Sequence, residues 1–234
     1  VAQSQLACLR RRRPHCAFHR NQDHRHDRFA NPWDWVNRMN AFARQSWIAI
    51  RLLIVGAVLL GIVYPLLVTG VGKVIAADAA SGSLVTGSDG TVVGSSLIGQ
   101  NFGDDRWFQS RPSAAGADGY DAQSSSGSNL GPNNEDLLSA VEERRTTIQQ
   151  KDGTTGQIPP DALTASGSGL DPHISPEYAA LQVSRVAKAN KLSEAAVAEL
   201  VAQNTQGRQF GFLGEERVNV LLLNLAIANA NRGG

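Results

Sequence analysis

Cysteine is almost missing from this sequence of 234 residues, which holds only Cys8 and Cys16, both near its start. A fold held together by disulfides is therefore excluded for the rest of the chain, which has to rely on core burial and on partners. Histidine is equally scarce, since His173 is the only one after Met39. That part of the chain therefore offers neither a cysteine nucleophile nor a set of cysteine and histidine metal ligands.

The motifs of nucleotide hydrolysis are absent as well. The sequence has no Gly-x-x-x-x-Gly-Lys-Ser/Thr loop and no Asp-Lys-Thr-Gly stretch. The run at residues 124–131 is rich in serine and glycine, and backbone amides in such a loop can bind phosphate oxygens. Ser126, Gly127, Ser128 and Asn129 are therefore candidate nucleotide contacts.

A serine hydrolase is a further alternative, because Ser166, Ser168, Asp171 and His173 lie close together in the sequence. No Gly-x-Ser-x-Gly elbow joins a predicted strand to a helix, however. The simpler interpretation is that Asp171 sets a turn and His173 satisfies a local backbone bond. We predict no catalytic residue and no metal ligand.

Charge is missing from residues 52–72, of which 13 of 21 are Leu, Ile or Val. As a helix this stretch is roughly 31 Å long, which matches a hydrocarbon core of about 30 Å. It predicts one transmembrane helix. A buried core helix and a signal peptide are the alternatives, although the apolar region of a signal peptide is usually shorter, at about 7–15 residues.

Charges on either side of this span predict its orientation. Arg38, Arg44 and Arg51 precede it, whereas only Lys73 follows it closely. Residues 1–51 carry a net charge of +7 and residues 73–234 a net charge of −6. The positive-inside rule then predicts a cytoplasmic N-terminus and an extracytoplasmic domain at 73–234.

Within the span, Ala57 and Gly61 have a spacing that lets another helix approach closely. Pro65 cannot donate a backbone hydrogen bond, so it leaves the carbonyl of Gly61 in need of a partner. Both features predict neighbouring helices.

Residues 1–38 hold eight arginines and four histidines and lack apolar periodicity, so we predict a disordered basic leader. We expect it to be a mis-assigned start, with Met39 as the true first residue and 39–51 as a cytoplasmic tail. Binding of nucleic acid or anionic lipid by the arginines at 10–13 is an alternative. A metal site formed by Cys8, His15, Cys16 and His19 is another. We predict no nucleic-acid partner.

The segment 73–234 predicts a mixed α/β domain. Two short apolar runs around Gly87-Ser88-Asp89-Gly90 predict a hairpin, and the apolar residues at 96–102 predict a further strand. The composition of residues 103–132, which lacks helical periodicity, predicts a long irregular segment. Helices are predicted from Asn133, after the N-caps Ser175 and Ser193, and from Glu215 to Asn231.

Six separated blocks together resemble a known family. They are Tyr64-Pro65-Leu66-Leu67-Val68-Thr69-Gly70, Ser96-Leu97-Ile98-Gly99-Gln100 with Phe102, Arg111-Pro112-Ser113-Ala114, Ser126-Gly127-Ser128-Asn129-Leu130, Ala165 to Ser175, and Gly214-Glu215 with Arg217-Val218-Asn219-Val220. In this order, from about residue 40 to 230, the chain resembles the C subunit of bacterial Kdp-type potassium-transporting ATPases.

The resemblance implies a non-catalytic, single-pass subunit in the bacterial inner membrane. Its partners would be a channel-like A subunit that selects K+, a P-type B subunit that hydrolyses ATP, and a small F peptide. It implies a role in assembly and one as a catalytic chaperone that raises the ATP affinity of the B subunit. The chain itself would hold no cofactor, K+ being the transported ion, and direct ATP contact remains the alternative.

We predict two docking regions for these partners. One lies on the transmembrane span, for which membrane lipid is a further partner, and consists of Ala57, Gly61, Tyr64, Pro65 and Thr69. The other consists of two loops of the domain, represented by Arg111, Pro112, Ser113, Asp171 and His173.

Overall fold

The computed structural model describes residues 32–232, with side chains from residue 40 onward. The arginines at 10–13 and the cysteine and histidine group lie outside the described residues. The chain divides into two compact units, Val1–Leu66 and Leu67–Gly234.

A long helix occupies the N-terminal part of the described chain. It consists of α1 (Pro32–Val58), a π-helical turn (Leu59–Val63) and α2 (Tyr64–Ile75). The stretch Asn40–Ile75 is long and apolar enough to cross a membrane, and none of its described side chains is buried. Because apolar side chains face outward all along this stretch, it has the surface of a helix that lies in lipid. The helix extends beyond residues 52–72 at both ends.

The π-helical turn lies directly before Pro65. There the N–H of Tyr64 donates to the carbonyl of Leu59, five residues back. Proline has no N–H for the usual bond and its ring crowds the preceding turn, so a local widening lets the helix continue.

The remaining elements form a mixed helix and sheet domain, as predicted. Helices are α3 (Ala77–Ala80), α4 (Glu135–Asp152), α5 (Pro160–Leu163), α6 (Pro176–Asn190), α7 (Glu194–Gln203) and α8 (Val220–Arg232). Strands are β1 (Leu84–Thr86), β2 (Val92–Ser95), β3 (His173–Ile174), β4 (Thr205–Gln206) and β5 (Arg217–Asn219). Strands β1 and β2 form the predicted hairpin, and β5 pairs between β3 and β4, all antiparallel.

The predicted helix starts at three N-caps are confirmed. The side chains of Asn134, Ser175 and Ser193 accept hydrogen bonds from the first turns of α4, α6 and α7. Each cap satisfies backbone donors that the helix itself leaves free.

Two sequence predictions were wrong. Residues 96–102 form turns instead of a strand, and the buried Gly99 packs so closely that a Cβ there would lie 2.6 Å from the carbonyl oxygen of Asp171. The last helix begins at Val220, well after Glu215, because Arg217–Asn219 pairs as the central strand β5. Strand pairing with partners distant in sequence outweighed the local helical pattern.

The core lies between α6, α7, α8 and strand β5. Its largest fully buried apolar side chains are Phe108, Leu223, Ile227, Val186, Val197, Val218 and Val220. Helix α8 supplies three of them, which confirms that the last helix is central to the core. Phe108 comes from the irregular segment.

Buried amide side chains hold this irregular segment in place. Asn224 of α8 accepts a hydrogen bond from the N–H of Phe108 at 2.8 Å and donates to its carbonyl at 3.0 Å. Gln182 of α6 makes the same pair with Gln109, at 2.7 and 3.2 Å. The two amides satisfy the backbone as a neighbouring strand would, so this stretch is ordered without belonging to a sheet.

Candidate docking site

Arg111, Asp171 and His173 come together on the surface of the domain. Nη1 of Arg111 lies 3.1 Å from Oδ2 of Asp171. The other carboxylate oxygen accepts the backbone N–H of His173 at 3.0 Å and lies 3.4 Å from its Nδ1. The structure therefore joins residues from both predicted docking loops.

Asp171 is the charged centre of this cluster. Burial by itself would raise the pKa of its carboxyl, but hydrogen bonds from His173 and the charge of Arg111 outweigh burial and hold that pKa below its ordinary value. The carboxylate is therefore ionised at neutral pH, where it pairs with the guanidinium of Arg111.

Ser113 links the two loops behind the cluster. Its hydroxyl donates to the carbonyl of Gly169 at 2.6 Å and accepts the N–H of Tyr120 at 2.7 Å. Tyr120 in turn donates its hydroxyl to the carbonyl of Arg111 at 2.6 Å, and burial raises its pKa to about 12. The hydrogen bond from Tyr120 therefore fixes the backbone of Arg111, from which its side chain extends toward Asp171. Pro112, between Arg111 and Ser113, is half-buried.

A cleft of about 480 Å³ opens beside the cluster. Charged and titratable side chains of its lining come from four parts of the chain: Arg111, Asp161, Asp171, His173, Glu215, Glu216 and Arg217. Nε of Arg111 is buried and has no hydrogen-bond partner among the described residues. A surface with both charge signs suits a polar partner surface.

The serine-rich loop packs against the same region. Ser126 donates its hydroxyl to the carbonyl of Ala114 at 2.9 Å, so that group is already engaged. Gly127 lies against Gly167, where a Cβ would be 3.1 Å from the carbonyl oxygen. Ser128 and Asn129 are exposed, and Asn129 has a left-handed backbone with φ of 54°.

The arrangement of a serine hydrolase is not formed. The hydroxyls of Ser166 and Ser168 lie 3.5 Å apart, and within residues 40–232 no hydrogen bond joins either of them to His173. The imidazole faces Asp171 instead. In that same part of the chain, no group of three or more His, Cys, Asp or Glu side chains could hold a metal ion.

The predicted docking residues of the span lie along the long helix. Ala57, Gly61, Tyr64, Pro65 and Thr69 are all exposed. A Cβ at Gly61 would meet nothing within 4 Å among the described atoms. The surface at Ala57 and Gly61 is therefore open to a second helix.

Comparison with known proteins identifies the family. Residues 46–229 match the family described as "K+-transporting ATPase, c chain". The chain belongs to the KdpC family. It is 57% identical over 188 residues to the potassium-transporting ATPase KdpC subunit of Kineococcus radiotolerans, covering 80% of this chain and 94% of the relative.

Other KdpC relatives agree. The subunit of Methylococcus capsulatus is 52% identical over 180 residues, covering 76% of this chain and 94% of its own length. That of Mycobacterium bovis is 52% identical over 186 residues, which cover 79% of this chain and 97% of the relative. The resemblance noted from the sequence is confirmed, and the chain is a KdpC-type subunit of a potassium-transporting ATPase, with one candidate transmembrane helix between residues 32 and 232.

Sequence reasoning missed several residues that build this region. Glu215, Glu216 and Arg217 line the cleft although they were expected at the start of a helix. Asn224 and Gln182 were missed because their partners lie 116 and 73 residues away. The one available signal was a polar residue inside an otherwise apolar helix, which predicts a buried hydrogen bond.

Proposed function

We propose that this chain is a non-catalytic, single-pass C subunit that assembles and stabilises a high-affinity ATP-driven potassium-uptake complex. Its span packs against helices of the channel-like A subunit, the P-type B subunit hydrolyses ATP, and the small F peptide completes the complex. Its N-terminus is cytoplasmic, and residues 73–234 lie outside the cytoplasm over the external mouth of the A subunit.

The observation that carries this proposal is the outward-facing apolar surface of Asn40–Ile75, none of whose described side chains is buried within the chain. Such a surface requires lipid or other helices around it. Arg44 and Arg51 shortly before the span, against Lys73 alone shortly after it, support the orientation. A domain of net charge −6 would also raise the local concentration of cations, an effect that salt would weaken.

The span is tested by replacing residues 52–72 with an unrelated hydrophobic helix of equal length. We expect the A and B subunits to lose this subunit on purification and potassium uptake to fall. A complex that purifies whole and transports potassium normally would contradict the proposal.

The cleft is tested by Arg111→Ala, with Arg145→Ala as the matched control, because Arg145 is half-buried and, among the described residues, its ion pair is with Glu142 on its own helix. We expect Arg111→Ala to weaken co-purification with the A and B subunits and Arg145→Ala to leave it unchanged. Equal behaviour of the two variants would remove the cleft from the docking surface.

A second candidate function, which requires the opposite orientation with the domain on the cytoplasmic side, is that of a catalytic chaperone that binds ATP at residues 124–131. The exposed Ser128 and the left-handed Asn129 favour it, since turns of this kind present backbone amides to anions. Labelling of the complex with a photoreactive ATP analogue should then mark this loop, and excess ATP should prevent the labelling. Labelling confined to the B subunit would contradict direct contact.

A further inference from the structure

The loop between β4 and β5 projects as a closed turn, which we call the aromatic finger (residues 208–215). The N–H of Gln209 donates to the carbonyl of Leu213 at 2.8 Å, and the reverse bond is 2.9 Å. Between them Phe210 and Gly211 have positive φ angles of 54° and 82°. Because its backbone bonds are closed within the turn, the finger has a defined shape before any partner arrives.

The tip of the finger is apolar and faces solvent. Phe210 is 86% exposed, Phe212 71% and Leu213 48%. None of the other aromatic residues between positions 77 and 232 is exposed in this way: Phe108 and Tyr178 are buried, and Phe102, Trp107 and Tyr120 are half-buried. A left-handed backbone is unusual for phenylalanine and costs about 1–3 kcal/mol, so this turn holds a side chain outward against its local preference.

Charged residues of both signs surround the tip. Arg208 and Glu215 form an ion pair of 3.0 Å across the base of the finger. Glu215, Glu216 and Arg217 then continue directly into the cleft that contains Arg111 and Asp171. An apolar centre with a mixed polar rim is the usual anatomy of a protein interface. Two exposed carboxylates beside the tip disfavour an anionic lipid surface.

We propose that Phe210, Phe212 and Leu213 anchor the docking surface by inserting into an apolar pocket of the channel-like A subunit, over whose external mouth the proposed function places this domain. This inference rests on the proposed function, because it assumes that the neighbouring cleft faces the same partner. The cleft supplies polar contacts and the finger supplies the buried apolar contacts.

The contact is tested in the whole complex in native membranes. A photoreactive benzoyl-phenylalanine takes the place of Phe210 or of Phe212, with Leu138 as the control position, because it is 59% exposed on helix α4. We expect crosslinks to the A subunit from positions 210 and 212 and none from 138. Crosslinks to lipid alone or to a different subunit alone, or no crosslink from the finger, would overturn the proposal.

The energetic contribution is tested by the double variant Phe210→Ser and Phe212→Ser. Both side chains are exposed, so circular dichroism and protease resistance of the subunit should match the wild type. Association with the other subunits should weaken at least about tenfold, as expected for interface hot spots. Unchanged association would overturn the proposal.

The effects of Arg111→Ala and of the finger variant distinguish docking through the cleft from docking through the finger. If Arg111→Ala weakens the complex and the finger variant does not, the docking cleft stands and the finger proposal falls. If the finger crosslinks to the A subunit while Arg111→Ala has no effect, the finger proposal stands and the cleft is removed. If neither has any effect, both fall.

Discussion

The span helix and helix α8 are built from the same apolar side chains and use them in opposite ways. Leu60 in the span is 72% exposed, whereas Leu223 in α8 is fully buried. The span carries only apolar and small residues around its middle, so its stability depends on the surrounding medium. Helix α8 includes Asn224, which holds a distant backbone segment.

The comparison shows that apolar composition alone does not decide what a helix packs against. Tolerance to substitution should therefore differ: the span should tolerate changes that keep it apolar, and the domain should be sensitive to single contacts. The domain's most sensitive contact should be its buried ion pair, because removing one partner leaves an uncompensated charge in the interior.

Arg185→Ala should cause the largest loss. Arg185 lies 2.6 Å from Asp152, with both side chains nearly buried, and also donates to the carbonyls of Asp105 and Trp107. Burial raises the pKa of Asp152, against the effect of Arg185, so removing the arginine leaves a carboxylate in unfavourable surroundings. We expect the free energy of unfolding of the domain to fall by about 3–5 kcal/mol.

Urea titration of the full chain in detergent micelles, followed by near-ultraviolet circular dichroism, measures this loss. Arg145→Ala serves as the control, since its exposed pair with Glu142 should contribute less than about 1 kcal/mol. Similar losses in the two variants would show that burial of the charged pair is unimportant.

Leu223→Ala and Leu60→Ala test the comparison directly with the same substitution. We expect Leu223→Ala to lower the free energy of unfolding by about 2–5 kcal/mol, because it leaves a cavity in the core. Leu60→Ala should leave domain stability unchanged and membrane insertion altered by less than about 1 kcal/mol. Urea titration and carbonate extraction of membranes measure the two effects, and a destabilised domain in Leu60→Ala would contradict the comparison.

Gly169→Ala should have a smaller effect, confined to the loops of the docking site. Gly169 has φ of 68°, and a Cβ there would lie 2.6 Å from the carbonyl oxygen of Ser126. We expect a loss of about 1–3 kcal/mol in the same titration. Gly131→Ala is the control, because a Cβ there meets nothing within 4 Å.

The smallest expected effect is a dependence of the domain's stability on pH in the acid range. Because the folded-state pKa of Asp171 lies below the ordinary value of 3.8, its ionised form adds stability above that value, and this contribution is lost as the pH falls through the lower pKa. The stability difference between the wild type and Asp171→Asn should therefore narrow below about pH 4. A stability difference between the two proteins that stays constant down to the pH at which the domain unfolds would contradict the role of this carboxylate.

Local features of the sequence predicted much of the helical structure. The caps Ser175 and Ser193 and the apolar periodicity after them predicted α6 and α7, since a cap and its helix are neighbours in the chain. The strand β5 was missed because it is only three residues long and one of its partners, β3, lies more than 40 residues earlier in the chain. In the candidate site, the structure brings Arg111 and Asp171 together, and their docking role stays a prediction, whereas the contribution of Glu215 to Arg217 was not seen.

The sequence by itself determined the apolar span, the charge difference across it and the family, because length, charge and ordered motifs are properties of the chain read in one dimension. Only the tertiary structure decided which side chains meet. It joined Arg111 to Asp171 across 60 residues and Phe108 to Asn224 across 116. Such contacts depend on how the helices pack, and no local pattern records that.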